Sequence, residues 1–209
     1  MAETILDNSL TTVARVKARA TNWNTDWDTL ILSLINEATE YIEQYCGVDT
    51  FLDTTYTQEL YNGYGGNRNL RDTIYLKHGP VTSVSTVEYK VGASSWSAYD
   101  SDEYYVDTDL NAIRLVSGKF PHGAQNVRVT YDAGYTISFD DAGADKSLHD
   151  LPLDLTHACE KLALRWFQRR DREGMTSYET GGSTISFEKE LSPDITRVLD
   201  KYTNVVLYH

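Results

Sequence analysis

The stretch Asp26 to Gly47, DWDTLILSLINEATEYIEQYCG, constrains this chain more than any other. Leu30, Ile31, Leu34, Ile35, Ala38, Tyr41, Ile42, Tyr45 and Cys46 recur at spacings of three and four, the period that gathers side chains onto one helical face. Ser33, Asn36, Glu37, Thr39, Glu40, Glu43 and Gln44 fill the other face. Thr25 followed by Asp28 predicts a capping-box start, and Gly47 a left-handed close. Ordering such a helix costs more than its own apolar face returns, so the rest of the chain has to cover it. Leu34→Asp is therefore expected to abolish folding, by placing an unpaired charge in a core.

The cover is predicted more than a hundred residues later. From Leu153 to Arg172, Leu155, Ala158, Cys159, Leu162, Ala163, Trp166 and Phe167 form a second strong apolar stripe, with Pro152 near the entry and Gly174 at the exit. A shorter helix is expected over Ser9–Ala20, capped by Ser9 or Thr11, and a last one over Asp194–Tyr202. Between the two long helices the period changes to two. Tyr56–Tyr61, Thr73–Leu76, Val87–Val91, Tyr104–Val106, Ala112–Val116 and Asn126–Tyr131 read as about six antiparallel strands separated by Gly, Asn, Asp and Pro clusters. The fold class that follows is α+β, a discontinuous helical bundle with an inserted antiparallel β domain. Its expected parts are residues 1–50, helical; 51–135, the β insertion; 136–150, an acidic linker; and 151–209, helical with an extended segment before a short last helix.

Composition narrows the function classes. A hydrophobic content of 41% in 209 residues is enough for a packed core, and no run approaches the roughly 20 apolar residues that span a bilayer. MAETILDNSL lacks the basic and apolar regions of a signal peptide, so a cytoplasmic start and no membrane partner are expected. A net charge of −12 argues against a reader of nucleic-acid sequence, which needs a basic footprint. Cys46 and Cys159 fall among apolar residues, where a thiol behaves as a small hydrophobe.

Motifs of catalysis are missing from the usual places. The five histidines show no H-E-x-x-H spacing, and neither cysteine has a CxxC partner. Asp107-Thr108-Asp109-Leu110-Asn111 begins like a calcium loop, but Ala112 stands where glycine is required and Gly118 where the bidentate glutamate belongs. Gly63-Tyr64-Gly65-Gly66 lacks the Lys and Ser/Thr of a phosphate loop. No catalytic, metal or cofactor-binding residue is expected, and no cofactor. A rival from another class is a β-rich carbohydrate-binding or glycoside-cleaving domain using a carboxylate pair among Asp100, Asp102 and Glu103.

The order of local signals resembles one known family, the head-tail connector (adaptor) proteins of tailed bacteriophages. The pieces that carry the resemblance are LTTVARVKA (Leu10–Ala18), INEATEYIEQYCG (Ile35–Gly47), GPVTSVSTVEY (Gly79–Tyr89) and FPHGAQNVRVTYDAGY (Phe120–Tyr135). They continue with LPLDLTHACEKLALRWFQRRDREG (Leu151–Gly174), GGSTISF (Gly181–Phe187) and LSPDITRVLDKY (Leu191–Tyr202). The resemblance implies a structural virion protein in the neck, made in the host cytoplasm and assembled as a ring, expected to be dodecameric. Such a ring docks under the portal protein, extends the DNA channel for passing DNA without reading its sequence, and meets a stopper or tail-completion protein. Another tail-completion or stopper protein is the nearest alternative.

Interface residues follow from this expectation. Trp23 and Trp27 are either anchors for a neighbour or the closure of the helix pair. Arg165, Arg169, Arg170 and Arg172 either complement the negative end of their helix or pair with acidic portal surfaces. Gly181 and Gly182, followed by Ile185 and Phe187, mark a strand for a partner sheet edge or an ordinary hairpin.

Overall fold

The structure, a computed structural model, describes residues 6–20, 25–63, 72–139, 149–170, 177–180, 183–186 and 191–203. The fold is mixed α+β and divides into two compact units, one from residues 1–49 and 136–205 and one from residues 50–135.

In the helical unit, α1 (Val13–Ala18) and a single 3-10 turn (Thr25–Trp27) precede the long α2 (Asp28–Cys46). The far end of the chain supplies α3 (Leu153–Arg169) and α4 (Pro193–Leu199). Gly47 closes α2 in the left-handed region (φ 66°), its N–H bonded to the Gln44 carbonyl. The start of α2 differs from the capping box expected at Thr25. Trp27 occupies the cap position without a side-chain bond, and the Asp28 carboxylate instead pairs with Lys17 Nζ at 2.7 Å. Helix α1 is likewise capped by Thr12, whose hydroxyl accepts from Arg15 N, and not by Ser9 or Thr11. Those two hydroxyls are spent on tertiary bonds, Ser9 Oγ to Asn36 and Thr11 Oγ1 to Glu160, each 3.3 Å.

Ile31, Ile35, Ala38, Ile42 and Cys46 of α2 are buried with Leu155, Cys159, Leu162 and Ala163 of α3 and Ile195 and Leu199 of α4. Thr39 Oγ1 lies 3.8 Å from Cys159 Sγ. The apolar stripe expected on α2 is not all core, because Leu30 and Leu34 are half-buried and Tyr41 and Tyr45 exposed. Two carboxylates do lie inside. Glu160 accepts from Arg15 Nε at 2.7 Å and from Arg19 Nε, while Glu43 accepts from Asn8 Nδ2 at 3.0 Å. The segment from Asn8 to Arg19 is thus keyed to the helix pair by charge, with Leu10 and Val16 as its buried apolar pegs.

The β unit holds two sheets. One has the order β1 (Thr54–Tyr61), β7 (Val127–Ala133), β3 (Val81–Lys90), β4 (Trp96–Ala98), and the other β2 (Thr73–Tyr75), β6 (Ala112–Leu115), β5 (Tyr104–Asp107). All adjacent pairs are antiparallel. Side chains of both sheets share one core that includes Ile74, Val87, Ile113, Val127, Val129 and Tyr131. Strand β7 alternates buried and half-buried along its length, as a central strand between β1 and β3 should. Strand β4 goes beyond the six strands expected. Its three residues are too few to show alternation, and it is held by pairing with Glu88, Tyr89 and Lys90.

The run that imitates a calcium loop is the turn between β5 and β6. Asp107 Oδ1 accepts from Leu110 N at 3.1 Å, and Asn111, at φ 48°, turns its Oδ1 to the Val81 N–H at 2.9 Å. A bulge at Gln58 (φ 53°) turns Glu59 toward the interior. There Glu59 accepts from the Tyr61 hydroxyl, from the Tyr131 hydroxyl at 2.6 Å and from Lys77 Nζ at 2.9 Å. Backbone pairing joins β8 (Ser177–Thr180) to β9 (Ser183–Ser186) antiparallel.

Candidate assembly interface

Helix α2 carries more apolar surface than its own unit covers. At ~100° per residue, Trp27, Leu30, Leu34, Tyr41 and Tyr45 fall in one sector roughly 60° wide, beside the sector that holds Ile35 and Ile42. Trp27 is 40%, Tyr41 41% and Tyr45 36% exposed. A stripe of this length facing water is the kind of surface that marks a protein contact.

The C-terminal end of α3 braces the flank. The Trp27 ring stands edge-on to Phe167 with centroids 5.6 Å apart, and Tyr41 stands edge-on to Trp166 at 5.9 Å. The Arg170 guanidinium lies 4.7 Å from the Trp27 ring and 4.0 Å from Phe167, and its Nη1 donates to the Phe167 carbonyl at 2.7 Å. Arg170 therefore both satisfies an end carbonyl of α3 and fixes two rings by cation–π contact. Tyr45 donates to Asp200 Oδ1 at 2.8 Å, and that bond holds its phenol above the usual tyrosine range. The rings are oriented before any partner arrives, which lowers the entropy lost on docking.

Of the residues singled out by sequence, the structure brings Trp27 and Arg170 together, and Arg169 is the half-buried last residue of α3. Ile185 falls in β9, with its backbone opposite Tyr178. Trp23, Arg172, Gly181, Gly182 and Phe187 lie outside the described residues. Periodicity alone places Tyr41, Tyr45, Leu34 and Trp166 in the core stripes, whereas Tyr41 and Tyr45 are exposed and Leu34 and Trp166 half-buried. The width of the α2 stripe was the signal that some of it lies outside the core.

Glu103 Oε2 accepts from Asp100 N at 2.8 Å and closes the turn before β5. Among the described residues, no group of three or more His, Cys, Asp or Glu is placed to hold a metal ion, and no helix is long and apolar enough to cross a membrane.

The chain is thus a mixed α+β protein whose longest helix carries a braced aromatic flank. The sequence model of the head completion protein family matches residues 9–205, and the chain belongs to that family. It is accordingly a structural head completion protein of a virion. Solved structures that share the fold include two chains from gene transfer agent particles. A chain from the neck of an empty gene transfer agent particle, computed with C6 symmetry, gives a TM-score of 0.53 at 17% identity, covering 98% of this chain and 95% of that one. A chain from the virion of the native gene transfer agent gives 0.52 at 18% identity, with the same coverage. No curated protein sequence matches.

Proposed function

We propose that the chain is the connector subunit of the neck. Copies form a ring, twelve in the fullest version of this reading, that docks under the portal protein, continues the DNA channel and offers its other side to a stopper or tail-completion protein. Assembly takes place in the host cytoplasm, and the ring remains in the neck of the virion. The observation that carries this reading is the half-exposed flank Trp27, Leu30, Leu34, Tyr41 and Tyr45, which a lone subunit leaves in water and a ring of copies covers. The sixfold symmetry used for the similar neck suits a ring of six or twelve. A net charge of −12 suits a wall past which DNA slides without being gripped.

Electron microscopy of the purified chain mixed with the portal ring of the same virion tests the proposal. A second ring stacked on the portal is the expected result, and Trp27→Ala with Tyr41→Ala should reduce its yield while the fold survives. Portal rings that never acquire an added layer would overturn it.

A further inference from the structure

We propose that the outer face of the three-stranded sheet, with Tyr75, Arg114 and Tyr105, is the surface on which a second copy seats the aromatic flank of its α2, Arg114 taking the Glu37 carboxylate of that copy. The inference rests on the ring reading above and names what covers the flank. A closed ring joins two different patches of the same chain, so each subunit carries both halves of the contact.

The sheet half lies on β2, β6 and β5. Ile74, Ile113 and Leu115 belong to the core of the β unit, and the residues that alternate with them face the other way. In register, Thr73, Arg114 and Tyr105 form one row across that outer face, and Tyr75, Ala112 and Asp107 the next. Tyr75 and Tyr105 are exposed. Val116, whose N–H reaches the Glu103 carbonyl at 2.9 Å, extends the face and is exposed as well. Two rings and a valine grouped around one guanidinium make the kind of exposed apolar patch that marks a protein contact.

Arg114 sets the chemistry of the patch. Its guanidinium lies 6.0 Å from the Tyr105 ring, and its Nε is buried with no hydrogen-bond acceptor among the described residues. Asp72 attracts it through space, but the Asp72 carboxylate accepts from the Thr73 hydroxyl at 2.8 Å. An N–H removed from water and left unpaired is costly, so an acceptor from outside completes the site. The planar fork takes a carboxylate or a phosphate bidentately. In a chain of net charge −12, with Asp72 and Asp107 on the same sheet, the many charges of a nucleic-acid backbone are repelled. A single carboxylate set among apolar groups fits.

The flank of α2 holds such a carboxylate. Glu37 stands three positions after Leu34 and four before Tyr41, the spacings that make neighbours on a helix. It is exposed and has no hydrogen bond or ion pair among the described residues, whereas Glu40 accepts from Gln44 Nε2 at 3.3 Å. One half of the contact is thus a guanidinium between aromatic rings, and the other a carboxylate between Leu34 and Tyr41. Brought together, the ion pair is ringed by apolar side chains that exclude water, the arrangement of an interface hot spot.

Charge exchange tests the contact. Arg114→Glu, Glu37→Arg and the double variant carrying both are each added to the portal ring, and stacked rings are counted by electron microscopy. Each single variant should lose rings by at least about tenfold, because like charges then meet at every contact. The double variant should recover them, since every copy presents the exchanged pair to its neighbour. Thermal melts show first that each variant folds. If Arg114→Glu does not, Arg114→Gln and Glu37→Gln carry the test: combined in one chain they should cost no more rings than the worse of the two alone. A single variant ringing at the wild-type yield, or a double variant that stays unassembled, overturns the contact and leaves the ring reading standing. Binding of a short DNA duplex that Arg114→Glu abolishes while ring yield is unchanged assigns the patch to phosphate and overturns the contact too. A wild-type chain that never rings on the portal overturns both.

Discussion

Glu160 is the side chain whose loss should most disturb the helical unit. It is 2% exposed on α3 and holds Arg15 at 2.7 Å, Arg19 and the Thr11 hydroxyl, all from the N-terminal segment. Two charge-assisted bonds at roughly 1.5–3 kcal/mol each give about 3–6 kcal/mol gross. Removing one partner of a buried pair typically costs about 3–5 kcal/mol because the other charge is stranded. Here the stranded arginines are 23% and 32% exposed and can recover water, which lowers the expected cost of Glu160→Ala to about 2–3 kcal/mol. For a chain of this size that is about 4–12 °C in Tm, while Glu160→Gln, which keeps the volume and an acceptor, should lose about half as much. Urea and thermal melts followed by helical circular dichroism measure both. A Glu160→Ala protein within about 0.5 kcal/mol of wild type would show that Leu10 and Val16, not the carboxylate, hold the segment in place.

Burial of Glu59 pushes its carboxyl up, but bonds from Tyr131, Tyr61 and Lys77 outweigh that and leave it below the ordinary glutamate range. Its contribution is therefore present above the unfolded value of about 4.3 and lost as pH falls through the lower folded value, so the acid-dependent loss of stability should be smaller in Glu59→Gln than in wild type, with Asp72, Asp132, Asp154 and Asp194, also held below their ordinary range, accounting for the loss that stays. Burial pushes the Cys46 and Cys159 thiols up to about 12, and a disulfide reagent at about pH 8 should label neither until the protein is unfolded. Leu34→Asp should melt close to wild type and fail to form rings, the reverse of what periodicity alone suggests, because Leu34 is half-buried on the flank.

Much of the fold was legible because its two periods are clean. The stripe of α3 and the alternation of Val127, Val129 and Tyr131 each identify an element without ambiguity. The ends of helices were harder, since Ser9, Thr11 and Asp28 look like caps locally but are used by partners 27, 149 and 11 positions away. Strand β4 leaves no local trace in three residues, and Glu43, placed by sequence on the polar face of α2, is buried and bonded to Asn8. Trp27 and Arg170 were recognisable as an interface candidate by residue type, but their mutual stacking with Phe167 depends on where α3 ends relative to the start of α2.

The contact between Thr39 and Cys159 spans 120 positions, and this sets an order of events during synthesis. At about 5–20 residues per second, α2 leaves the ribosome roughly 6–24 s before the helix that covers it. The whole β unit is made in that interval, and its central strand, Val127–Ala133, is the last of its strands to emerge. The β unit thus completes first, while Ile31, Ile35 and Ile42 wait without cover. A nascent chain stalled just after Tyr135 should bind a chaperone through that helix and release it once α3 is added.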